Sequence, residues 1–114
     1  MKLIGSIMER EFREELEASH QQYFSANSKY RLKSFLTSKS IPWNNAYILN
    51  WIPEQTEDIY VILIEGKSLI SVEIDRIDSN SPPLFEEIDI KEYMHGLSRM
   101  NQVKLLVAKE LAGM

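Results

Sequence analysis

Ile59 to Ile64 reads IYVILI, a run with no charged position to turn toward water. A strand sends successive side chains to opposite faces. An unbroken apolar strand therefore calls for cover on both faces, or much of both, as a central strand has. Glu65-Gly66-Lys67 follows, a short turn with glycine where a positive φ is needed. Leu69 to Asp75 then alternates: Ile70, Val72 and Ile74 point one way and Ser71, Glu73 and Asp75 the other. The two strands form a hairpin, one of them half exposed, and the rest of the chain has to supply what covers it.

The flanking segments supply helices and further strands. Ser6 to Glu9 is a capping box, and Ile4, Met8, Phe12 and Leu16 recur at helical spacing, which predicts an amphipathic helix over Ile7 to Tyr23. The polar stretch Ser25 to Ser28 marks a turn, and a shorter helix fits Lys29 to Thr37. Ala46 to Trp51 has strand composition, and the loop Asp78 to Pro83 leads into a short strand over Leu84 to Ile88. Asp89 to Glu92 is a second capping signal. It opens a helix over Ile90 to Ala112, with Tyr93, Leu97, Met100, Val103, Leu106 or Val107, and Leu111 as its apolar stripe and a break at Gly96 to Ser98. The expected fold is α+β: an antiparallel sheet of about four strands, order α-α-β-β-β-β-α, with helices mainly on one face. Residues 1–114 read as a single domain, without repeats or an internal linker.

Composition narrows the function. The chain is 44% hydrophobic and 26% charged, which is globular and not disordered. It has no cysteine, so disulfides, thiol chemistry and cysteine-bound zinc are excluded together, and a reducing compartment is compatible. The first residues hold too short an apolar run for a secretion signal, and no segment reaches bilayer length. The expected location is the cytoplasm, with no membrane partner. The net charge of −4 is unevenly spread: residues 54–92 hold eleven acids against three bases, a net −8, between flanks of +2 each. Such a segment repels phosphate, so direct nucleic-acid binding through it is not expected. It attracts a basic surface, such as that of a protein that handles nucleic acid. The same acids also serve a merely solubilising sheet face.

Catalytic motifs are weak. His20 and His95 lie far apart, neither in metal-ligand spacing; His20, among Ser19, Gln21 and Gln22, reads as a solvated helix residue. There is no glycine-rich phosphate loop and no nucleophile elbow. Asp89-Ile90-Lys91 and Glu65-Gly66-Lys67 both fit the Asp/Glu-x-Lys of metal-dependent nucleases, with Asp58 or Asp75 as the companion acid. Lys67 is better explained as a hairpin tip and Asp89 as a helix cap. No catalytic residue, metal or cofactor is expected, and a nuclease stands as the alternative.

Binding is the better-supported class. Asn50 to Tyr60, NWIPEQTEDIY, sets Trp51 and Tyr60 beside Glu54, Glu57 and Asp58. Tryptophan and tyrosine anchor interfaces, and charged rims steer association. Glu73, Asp75 and Glu87 extend the acidic surface. The candidate partner-binding residues are therefore Trp51, Glu54, Glu57, Asp58, Tyr60, Glu73, Asp75 and Glu87. For Trp51 the competing role is to close a strand over the core.

Tyr47 to Gly66, YILNWIPEQTEDIYVILIEG, and Glu92 to Leu111, EYMHGLSRMNQVKLLVAKEL, resemble immunity proteins of bacterial contact-dependent growth-inhibition systems. The two stretches make up 40 of the 114 residues. The resemblance implies a small cytoplasmic protein that binds and blocks a toxin delivered by a neighbouring cell, often a nuclease. It carries over no catalytic residue or cofactor. The expected partner is a cognate protein toxin with a basic surface. A generic interaction domain is the remaining alternative.

Overall fold

The computed structural model describes residues 7–25 and 31–113. In chain order the elements are α1 (Ile7–Phe24), α2 (Arg31–Ser38), β1 (Ala46–Pro53), β2 (Glu57–Ile64), β3 (Ser68–Asp75), β4 (Leu84–Ile88), α3 (Ile90–His95) and α4 (Arg99–Ala112). The sheet is antiparallel throughout, in the order β1-β2-β3-β4. The expected α+β class and its order hold, with the last helix divided in two. Ser6 of the capping box and residues 26–30 lie outside the described residues. No helix among the described residues is long and apolar enough to cross a membrane.

The IYVILI segment sits inside the sheet, as its composition requires. Tyr60, Ile62 and Ile64 point into one core, with Ile70, Val72 and Ile74 beside them and Phe24, Leu32, Phe35 and Leu36 packed on top. Val61 and Leu63 point into a second core, with Tyr47, Leu49 and Leu69 under Leu16, Val103, Leu105, Val107, Ala108 and Leu111. Helices thus cover both faces, and the expectation of helices mainly on one face is corrected. The reason lies in β1 and β2: both are apolar on successive residues, so each face needs its own layer. α1 contributes to both cores, Leu16 to one and Phe24 to the other.

Local chemistry sets the joints. Glu65 and Gly66 both take positive φ, 52° and 70°, and Lys67 N–H donates to Ile64 C=O at 3.0 Å to close the hairpin. Asp89 caps α3 by accepting from the N–H groups of Lys91 and Glu92. Ser98 caps α4 by accepting from Asn101 N–H. Gly96 ends α3, so the chain turns where the sequence places Gly96 to Ser98. Within α4 the expected stripe positions Val103, Val107 and Leu111 are buried, and Leu105 joins them, while Met100 and Leu106 face outward.

β1 carries one irregularity with consequences for the surface. Ile48 pairs with Ile62 and Asn50 with Val61, so Leu49 is an extra residue, a bulge. A bulge reverses the facing of everything beyond it. Trp51 then opposes Tyr60, on the α2 face; in unbroken register it would oppose Ile59, on the α4 face.

Candidate functional site

The four strands carry Glu57, Asp58, Glu73, Asp75, Glu86 and Glu87 and no lysine, arginine or histidine. Registers divide these acids between the faces. Glu57 opposes Asp75, and Ile52, Ile59, Glu73 and Leu84 form one row across all four strands. The next row holds Asn50, Val61, Ser71 and Glu86. These rows face the α4 side, yet the helical layer covers chiefly the end of the sheet where Tyr47, Leu63, Leu69 and Ile88 lie. The remainder is open: Leu84 is 64% exposed, with Asn50, Ile52 and Glu86 also exposed and Glu57, Ile59, Ser71, Glu73 and Asp75 half-buried. The arrangement sets the apolar pair Ile52–Ile59, and Leu84 on the far side of Glu73, among carboxylates. Ser71, Glu73, Leu84, Phe85 and Glu86 line a shallow groove within it.

On the other face, the bulge sets Trp51 beside Asp58. Trp51 is 54% exposed, and its indole N–H donates to Asp58 Oδ1 at 3.0 Å. The same oxygen accepts from Arg76 Nη1 at 2.7 Å, and the Asp58 side chain is 15% exposed. Arg76 also donates to the carbonyls of Glu54, Gln55 and Glu57, which ties the β1–β2 turn to the end of β3. The acidic turn is thus a built structure with a cation at its centre. Arg31 does the same for the next loop, donating to the carbonyls of Asp75, Ser79 and Ser81. Asp75 Oδ1 accepts from Ile77 N–H at 2.8 Å and Asp78 N–H at 2.9 Å. These bonds, that of Asp78 first, hold the Asp75 carboxyl below its ordinary value, with the Arg31 charge helping.

The predicted site residues therefore part company. Glu57, Glu73 and Asp75 share the open half of one face. Trp51 and Asp58 share the opposite face, and Glu54 lies exposed in the turn between them. Glu87 is exposed on β4 but points to the Trp51 side, opposite Ile70. Tyr60 does not reach the surface: it is 6% exposed, in a core cluster with its ring edge-on to Tyr23. Alternation explains this, since the residue opposite Val72 must face the α2 layer. Sequence reading missed Ile52, Ile59, Leu84 and Glu86, which only cross-strand register gathers. It also missed Arg76, whose available signal was its place as the lone arginine of the acidic segment.

The nuclease constellation is not assembled. Asp58 and Asp75 lie at one end of the sheet and Glu65 and Asp89 at the other, a separation of roughly 20 Å along β2. Among the described residues no group of three or more His, Asp or Glu side chains is placed to hold a metal ion. His20 is not solvated as its neighbours suggested. Its Nδ1 donates to Ala46 C=O at 2.6 Å and its ring stacks on Tyr47 at 4.9 Å, because α1 lies along β1. His95 ends α3 and is exposed. No family model, no curated protein and no solved structure matches the chain.

Proposed function

We propose that the chain is a small inhibitor of the immunity type, which docks an acidic sheet surface on the basic groove of a cognate toxin, a nuclease by the charge it presents, and blocks it by occlusion. The observation behind this reading is a four-stranded sheet with carboxylates on both faces, no cation on any strand, and half of one face left uncovered. Carboxylates around exposed Ile52 and Leu84, with half-buried Ile59 beside Ile52, suit a partner with lysines and arginines around apolar side chains. Charge speeds the encounter, and the buried apolar contacts set the rate of dissociation. The proposed setting is the cytoplasm, with no cofactor, no catalysis and no direct contact with nucleic acid.

Affinity capture from the native host, followed by association kinetics, tests the proposal. The captured partner is expected to be a basic domain whose association slows as salt rises. Reversal of Glu57, Glu73 and Glu86 to lysine is expected to slow association about tenfold or more and leave folding unchanged. A captured partner whose association ignores both salt and these reversals would remove the open face as the interface.

A further inference from the structure

We propose that the free edge of β4 is a docking line at which an extended segment of the partner adds as a fifth strand, basic on one side and apolar on the other. β4 closes the sheet order, and no further strand pairs with it among the described residues. Alternate residues of an edge strand direct N–H and C=O groups away from the sheet. The opposite edge differs, because α1 packs along β1. Leu84, Phe85, Glu86 and Glu87 are all exposed, so the β4 edge lies open over nearly its whole length.

A groove on each face gives an added strand its side-chain pattern. On the α4 face, a space of about 170 Å³ is lined by Ser71, Glu73, Leu84, Phe85 and Glu86, with two carboxylates and no cation. A lysine or arginine beside Leu84 or Glu86 would point there. On the α2 face, a larger space of about 360 Å³ lies between β4 and the chain after α2, with Ile41, Pro42, Ile70 and Phe85 in its lining. Its charged rim balances, Lys39 and Lys67 against Glu65 and Glu87, so an apolar side chain suits it. Strand alternation delivers this pattern, a basic residue on one side and an apolar one on the other. A second copy of the chain is the poorer occupant: β4 against β4 would set Glu86 and Glu87 against like charges. The choice of a basic segment rests on the proposed toxin partner; the open edge and its grooves do not.

The probes are end-blocked peptides of alternating valine and lysine, the same peptide N-methylated on alternate amides, and a valine–glutamate counterpart. Methylation removes edge hydrogen bonds but keeps charge. The valine–lysine peptide is expected to move the amide resonances of residues 84–88 and to slow exchange at alternate β4 amides. Methylation, or the pair Glu73→Lys with Glu86→Lys, is expected to weaken binding about tenfold or more, and the glutamate peptide to fail. Equal binding of the methylated peptide, or shifts confined to residues 54–58, overturns the edge and leaves the basic-partner reading intact. A lysine peptide that does not bind, while the host's basic domain does so in a salt-sensitive way, also overturns the edge alone. Failure to capture any basic domain overturns that reading instead. Sedimentation of a dimer that Glu86→Lys disrupts overturns the choice of occupant.

Discussion

Asp58 and Asp75 show how little a carboxylate's presence in a sequence says about its availability. Asp58 is engaged by Trp51 and Arg76, and Asp75 holds the start of the β3–β4 loop. The Asp75 carboxyl, ordinary value 3.8, is lowered by the N–H groups of Asp78 and Ile77 and by Arg31. A depressed folded-state value means that its stabilisation is complete above the unfolded value and is lost as pH falls through the folded one. Asp75→Asn, which keeps an accepting oxygen but no titrating group, is expected to flatten the acid limb of the stability curve below about pH 4. Urea midpoints measured across that range check this, and an acid limb identical to the parent's would contradict it.

At the scale of elements, the caps and the bulge do most of the shaping. Asp89 serves α3 through its contacts with Lys91 N–H and Glu92 N–H. Asp89→Ala is expected to cost about 1 kcal/mol, and Asp89→Asn only a few tenths, since either acid or amide can cap. Denaturant unfolding of the two variants measures the difference; a neutral alanine would show that the cap contributes nothing. The capping signal at Asp89 and the break at Gly96 to Ser98 were legible because they depend on neighbours in sequence, whereas Ser98 as the cap of α4 was not read. The bulge at Leu49 was not. It shows only in the pairing of β1 with β2, and it moves Trp51 to the opposite face from Glu57 and Glu73.

For the whole molecule, β2 is the shared wall of two cores. Ile62 faces the α2 layer and Leu63 the α4 layer, and both are fully buried. Ile62→Ala and Leu63→Ala are each expected to cost about 2–5 kcal/mol, a large part of a domain's stability. Because the cores share one strand, both variants are expected to shift the Trp43 fluorescence transition and the backbone circular-dichroism transition together. Trp43 packs against the α2-side core, so a Leu63→Ala variant in which its transition stays put would mean that the layers unfold apart.

The sequence by itself determined the α+β class, the order of elements and the central place of IYVILI, because apolar periodicity, caps and turns are local in the chain. It also determined that the sheet is acidic. Only the tertiary structure decided which acids share a surface. Face and register follow from pairing across strands and from one inserted residue, so Trp51 and Tyr60, both read as surface anchors, ended on the α2 side, one exposed and one in the core. The open Ile52–Ile59–Glu73–Leu84 row is assembled from four separate strands. No local pattern announces such a row, because burial depends on where the helices stop covering the sheet.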